Sequence, residues 1–310
     1  MVDRVIRIFN RLFVLWVILA GLLAFLFPGI FIASKGFMEF FFACTMFGIG
    51  IVLNPHDFVN IFKNLRIVLI GVIAQFTIMP LSAWLVSNIF SFSDEFSLGL
   101  ILTGSAPGAM ASNVLSFLAG ADVAYSVSLT TASTFLAPVL TPLLTLFFAN
   151  TILDIPFWEL LKSVSIMVLL PLVFGLVLRK ISGKKIEPYT KIFPVISSLF
   201  IAFICGLVIA LNRDYLLNIT IWIFIAALVL NLGGLSLGYL TGKISGFDKL
   251  KKRALSIEIG MQNAGLGSVL ALKHFNEKTA LPAIVFVFIC ILTASILVPI
   301  WSKTREIKGT

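Results

Sequence analysis

Residues 257–267 read Ile-Glu-Ile-Gly-Met-Gln-Asn-Ala-Gly-Leu-Gly, and residues 106–113 read Ala-Pro-Gly-Ala-Met-Ala-Ser-Asn. Each stretch lies inside a run long enough and apolar enough to cross a bilayer, yet neither suits an unbroken helix. Proline and glycine cost about 3 and about 1 kcal/mol in a helix interior. Here they cluster, with Pro107-Gly108 in one stretch and Gly260, Gly265 and Gly267 in the other. Both spans are therefore expected to break at mid-depth. Each small polar run closes on an asparagine, and Asn113 and Asn263 stand 150 residues apart (263 less 113), near half of the 310-residue chain. Interrupted helices at matching positions of two halves point to a transport site at the membrane midplane.

The rest of the chain agrees with a membrane setting. It is 59% hydrophobic and 12% charged, with a mean hydropathy of +1.09, too little polar surface for water to cover. At about 20 residues per span, ten helices are expected, over roughly 9–27, 36–53, 65–90, 96–119, 122–148, 157–179, 190–211, 216–242, 249–274 and 279–301. The interrupted stretches then fall in spans four and nine, the fourth of each five-span half. An odd number of spans per half inverts the second half relative to the first. The reading is an all-α polytopic membrane protein made of two inverted five-helix repeats.

A net charge of +9 could suggest nucleic acid, but the distribution of basic residues argues for topology instead. With a cytoplasmic N-terminus, Lys35, Lys162, Arg213, Lys273 and Lys278 fall outside, which leaves 18 of the 23 Lys and Arg inside. Arg4, Arg7, Arg11 and Lys308 belong to that inner set, so both termini are expected in the cytoplasm and the protein in the cell's inner (plasma) membrane. The first apolar run is read as a retained helix, not a cleaved leader. Cys44, Cys205 and Cys290 are read as apolar packing residues, and His56 and His274 as interfacial. Neither a nucleophile with its base nor a metal-ligand set nor a phosphate loop is evident, so an enzyme is not expected.

Glu258 is the carboxylate that cannot be moved to an interface, five residues past Arg253 on a helix starting near Asp248. A charge at that depth costs about 2.5–3.5 kcal/mol on insertion scales and needs a partner. No Lys or Arg is expected there, which leaves protonation or a bound cation. Span five offers oxygens: Ser126, Thr130, Ser133 and Thr134 follow i, i+4, i+7, i+8 and share a helix face. Ser112, Asn113 and the mid-span amide Gln75 add more. The N-termini of the second half-helices, at about Ala111 and Asn263, are expected to present unsatisfied N–H groups to an anion.

These residues carry a family resemblance. Pro107 to Thr134, Glu258-Ile259-Gly260-Met261-Gln262-Asn263 and Gln75-Phe76-Thr77-Ile78-Met79-Pro80 resemble the bile acid:sodium symporters along the whole chain. The resemblance implies panel helices in 1–63 and 151–214, and core helices in 64–150 and 215–310, with broken helices four and nine crossing in the core. It implies two Na⁺ per cycle, with no other cofactor. One ion would be held by Ser112, Asn113, Ser126, Thr130 and Glu258. The other would be held by Gln75, Glu258, Gln262 and the carbonyls of Ile259 and Met261. An organic anion, bile-acid-like or a small carboxylate, would lie near Met110, Asn113, Asn263 and Cys290. Ala109-Met110 and Cys290-Ile291-Leu292 depart from more polar residues in relatives and make that cavity more apolar. The implied partners are Na⁺, the anion and the bilayer, with neither nucleic acid nor an obligatory protein partner. A proton-coupled carrier or cation/proton antiporter using Glu258 as its proton site is the alternative. An arsenite carrier would be expected to place a thiol in span four, where this chain has none.

Overall fold

The computed structural model describes residues 13–151, 153–190, 192–216 and 221–306. Arg4, Arg7, Arg11 and Lys308, on which the expectation for the termini leaned, lie outside the described residues, as does the His56 side chain. All regular structure among the described residues is helical, apart from one isolated antiparallel bridge between Gly108 and Gln262. An all-helical chain satisfies its backbone polar groups within each segment, which lipid requires.

The first half runs α1 (Phe13–Leu26), α2 (Pro28–Ala33), a 3₁₀ turn (Lys35–Phe37), α3 (Met38–Val52), α4 (Pro55–Lys63), α5 (Leu65–Ile89), α6 (Asp94–Ser105), α7 (Ala111–Leu118) and α8 (Val123–Ala149). The second half runs α9 (Phe157–Val164), a π-helical turn (Ser165–Leu169), α10 (Leu170–Ser182), a 3₁₀ segment (Gly183–Tyr189) and α11 (Phe193–Leu211). It continues with α12 (Arg213–Leu216), α13 (Ile221–Ile244), α14 (Lys249–Gly260), α15 (Ala264–His274) and α16 (Glu277–Glu306). Asp122 and Asp248 cap α8 and α14, their carboxylates accepting from the N–H groups of Tyr125 and Lys251.

Among the described residues six helical stretches are long and apolar enough to cross a membrane: 35–52, 65–89, 123–149, 157–182, 221–244 and 277–302. Apolar side chains such as Phe147 and Ile181 are 76% and 78% exposed on their outer faces. In water such a surface would aggregate, and in a bilayer it meets lipid tails. The protein is a polytopic membrane protein.

α1 packs on α11, α3 on α10 and α11, and α2 on α11. A second set, α5, α6, α8, α13, α14, α15 and α16, packs around the bridge, and α8 also meets α4 and α9 while α16 meets α11. Lys35, Arg213, Lys273 and Lys278, expected on one side, do share one end of the bundle, where Lys35 meets Glu277 and Lys273 meets Glu39. The π-helical turn and the short helix α4 had no counterpart in the sequence reading.

Candidate functional site

The two breaks meet. α6 ends at Ser105, Ala106 turns extended, and α7 begins at Ala111. α14 ends at Gly260, Met261 is extended, and α15 begins at Ala264. Across the gap Ala109 N–H donates to the Met261 carbonyl at 2.8 Å, and Asn263 N–H donates to the Pro107 carbonyl at 2.8 Å. Each break thus supplies the hydrogen bonds that the other lost by leaving the helix. The reciprocal pair is itself two-fold symmetric, residues 107 and 109 standing to 263 and 261 as their mirror in order.

Glu258, fully buried, lies directly against this crossing. Its Oε2 accepts from Ser112 Oγ at 2.5 Å and from Ser126 Oγ at 3.0 Å, and its Oε1 accepts from Thr130 Oγ1. Asn113 Oδ1 accepts from Ser126 Oγ at 2.8 Å and from Thr130 Oγ1 at 3.2 Å. Three helices position the set: the first turn of α7, one face of α8, and the last turn of α14. Gly108 makes the approach possible, because a Cβ there would collide with the Glu258 carboxylate. Ser126 and Thr130 are offered acceptors on both Glu258 and Asn113, and each hydroxyl has one proton. Acceptor oxygens therefore exceed donors. Among the described residues Glu258 has hydroxyl partners and no cationic one.

A second group adjoins it. Gln75 Nε2 donates to Gln262 Oε1 at 2.8 Å, and Gln262 Nε2 donates to the Ile259 carbonyl at 3.0 Å. The chain ends on Gln75 Oε1, which is buried and has no hydrogen-bond partner among the described residues. A lone buried acceptor is costly unless something positive meets it. The described contacts of Glu258 all lie on the Ser112 side, and none joins it to Gln75 or Gln262.

Several expectations need correction. Ser133 and Thr134 share the face of Thr130 but donate to its carbonyl at 3.0 and 2.7 Å, so half of the hydroxyl stripe stays within its own helix. Several of the half-helix N–H groups are already taken: Ser112 and Asn113 N–H donate to Ala109 and Met110 carbonyls, Asn263 N–H donates to the Pro107 carbonyl, and Ala264 and Leu266 N–H donate to Gln262 and Asn263 carbonyls. Asn263 caps α15 through Oδ1, and Asn113 Nδ2 approaches Met110 Sδ at 3.7 Å. His274 ends α15, as its place at the end of span nine implied, but its side chain is 6% exposed and bonds Ser163 Oγ at 2.8 Å.

Met110, Asn113 and Asn263 are half-buried, whereas Cys290 is buried beside a small cavity also lined by Leu115, Asn231, Met261 and Thr293. All three cysteines are free. Sequence reasoning missed Ser116, whose hydroxyl reaches Ser126 at 3.2 Å, and the Asn231–Thr293 pair at 2.7 Å. Ser116 lies four residues past Ser112, a spacing that could have found it.

The family described as Sodium Bile acid symporter family matches residues 40–219. Glu258 and the second break lie beyond that match, but the relatives cover them. The chain is 37% identical over 307 residues to YocS of Bacillus subtilis (strain 168), named an uncharacterized sodium-dependent transporter, spanning 99% of this chain and 96% of the relative. It is 34% identical over 294 residues to the probable sodium/metabolite cotransporter BASS1, chloroplastic, of Arabidopsis thaliana, spanning 94% and 73%. It is also 31% identical over 308 residues to the probable sodium/metabolite cotransporter BASS2, chloroplastic, of Oryza sativa subsp. japonica, spanning 96% and 72%.

Proposed function

This chain belongs to the sodium bile acid symporter family, a family of transporters and not of enzymes, and from that premise we propose that it is a secondary active symporter driven by Na⁺ and carrying an organic anion. One observation carries the reading: a fully buried carboxylate surrounded by hydroxyl and amide oxygens where two interrupted helices cross. A hard monovalent cation is what an acceptor-rich, all-oxygen set suits. Ser112, Asn113, Ser126, Thr130 and Glu258 form the first Na⁺ site. Gln75, Gln262, the Ile259 and Met261 carbonyls and Glu258 form the second, where the unpartnered Gln75 Oε1 favours a cation over a bare proton on Glu258. The names of the relatives, a sodium-dependent transporter and sodium/metabolite cotransporters, point the same way.

The architecture we infer has ten spans. The six long ones are joined by two shorter apolar helices, 15–26 and 195–211, and by the interrupted pairs α6–α7 and α14–α15. Inverted halves account for the packing: α1 on α11 is the counterpart of α3 on α10, and α5 on α6 that of α13 on α14. The panel is then 1–63 with 151–214, and the core is 64–150 with 215–310. The end bearing Lys35, Arg213 and Lys273 is outside, in a bacterial-type plasma membrane. The anion lies by Met110, Asn113 and Asn263, with Cys290 behind. Because several of the half-helix N–H groups are internally bonded, bound Na⁺ adds to the anion's charge stabilisation.

Uptake into sealed vesicles, compared in Na⁺ and choline over bile acids, pantothenate-like acids and keto acids, tests this. The expected result is Na⁺-dependent uptake with inward current. Uptake indifferent to Na⁺ but steep in pH would move the assignment to a proton carrier.

A further inference from the structure

The backbone leaving α14 carries carbonyls that already have named partners. Ile259's accepts from Gln262 and Met261's from Ala109. Between them, the Gly260 carbonyl accepts at 2.7 Å from Nδ2 of Asn231, a fully buried amide on α13. A carbonyl only accepts, so Asn231 must turn its NH₂ toward Gly260. Its Oδ1 then faces Thr293 of α16, whose hydroxyl donates at 2.7 Å. That hydroxyl is held over its own helix, 3.0 Å from the Ile289 carbonyl and 3.1 Å from the Cys290 carbonyl.

α13 comes close enough for this because small residues face α14. A Cβ on Gly234 would lie 3.0 Å from the Ile259 carbonyl oxygen, and one on Gly238 would lie 2.9 Å from that of Leu255. Asn231, Gly234 and Gly238 follow i, i+3, i+7 and share one face. The same face therefore meets the α14 backbone at Leu255, Ile259 and Gly260. The peptide plane joining Gly260 to Met261 is rigid, and it is pinned at both ends. Its carbonyl is held by Asn231, and its N–H donates to the Glu258 carbonyl at 3.4 Å. Gly260 has no Cβ to restrict its torsions, so the tether from Asn231 adds a constraint that the residue itself does not supply.

We propose that Asn231, oriented by Thr293, is a positioning residue for cation binding: by fixing the Gly260 carbonyl it aims the neighbouring Ile259 and Met261 carbonyls into the second Na⁺ site. This rests on the function proposed above. Neither residue touches the ion; both act through the backbone of α14.

The test is a Na⁺ titration of thermal stability on purified protein, with K⁺ as the reference salt. Asn231→Ala should raise half-saturating Na⁺ about ten-fold, as expected for one lost buried hydrogen bond. Thr293→Val should raise it about three-fold by the weaker loss of orientation, and Thr293→Ser should restore the wild-type value. A purely structural role would lower the melting temperature in K⁺ and leave the half-saturating concentration where it was. Asn231→Ala and Thr293→Val that both titrate within two-fold of wild type overturn the inference. If Asn231→Ala does not fold, an unchanged half-saturation in Thr293→Val alone overturns it. A wild-type protein stabilised equally by Na⁺ and K⁺ overturns the Na⁺ reading itself, and this inference with it.

Discussion

At the scale of single residues, Glu258 decides the chemistry. A carboxylate with no exposure and, among the described residues, no cationic partner must bind a proton or a cation, since its hydroxyl neighbours supply dipoles but no charge. Glu258→Gln keeps the shape and removes the charge. Its expected outcome is loss of Na⁺-dependent thermal stabilisation, which in the wild type reaches about 2.7 kcal/mol at a hundred-fold excess over Kd. In K⁺ the variant should be at least as stable as the wild type, because a buried charge has gone. A variant still stabilised by Na⁺ like the parent would remove Glu258 from both proposed sites. The position of this residue was legible in the sequence because a lone carboxylate at mid-span has few readings. Asn231 was not. An amide in an apolar helix can face any of several neighbours, and nothing in the residues around it says that a glycine carbonyl 29 positions on is the partner.

At the scale of elements, proline by itself did not mark the breaks. Pro80, Pro138, Pro142, Pro282 and Pro299 all sit inside continuous helices, whereas Pro107 lies in a gap. The difference is that Pro107 is followed by Gly108 and faces a second broken segment, so the backbone groups it frees are met by Asn263 and Met261. That pairing was readable because two irregular stretches recur 150 residues apart (263 less 113). The π-helical turn at Ser165–Leu169 was not, having no second copy and no glycine. Gly108 gives the crossing its own prediction. A methyl group there meets the Glu258 carboxylate, so Gly108→Ala should weaken Na⁺ binding about ten-fold or more, overpacking typically costing about 1–3 kcal/mol. Shortening the acid should relieve the clash, so Gly108→Ala with Glu258→Asp should bind Na⁺ better than the sum of the two single losses. A double-mutant cycle of Na⁺ titrations reads this directly. Strictly additive losses would show that Gly108 acts through something other than contact with the carboxylate.

At the scale of the whole molecule, the two ends of the bundle are built differently. At one end, polar contacts tie the helices around α3 and α11 to α15 and α16: Lys273 to Glu39 at 2.6 Å, Lys35 to Glu277 at 3.1 Å, and Asn212 Nδ2 to the Glu277 carbonyl at 3.0 Å. His274 with Ser163 adds a fourth tie, from α15 to α9. At the other end the contacts of Lys251 with Asp122 and Asp248, and of Arg253 with the Ala119 and Trp301 carbonyls, stay within the second group of helices. There α7 leaves Val114, Phe117 and Leu118 exposed. These pairs are partly exposed, Lys35 and Glu277 at 41% and 42% and Lys273 and Glu39 at 31% and 44%. Exposed pairs of this kind are worth about 0–1 kcal/mol each, so in the proposed transport cycle they would bias the two states by an amount that bound ions and substrate could reverse. That magnitude suits a gate better than a permanent clamp. If panel and core separate at this end during each cycle, joining them there must stop transport. Cysteines replacing Glu39 and Lys273 in a cysteine-free background, bridged by a short bifunctional thiol reagent, should abolish Na⁺-driven uptake in vesicles. The same reagent across Asp122→Cys and Lys251→Cys joins two residues of the proposed core and should leave uptake intact. Full uptake by protein bridged between positions 39 and 273 would mean that this end never opens, and alternating access would have to proceed by some other movement.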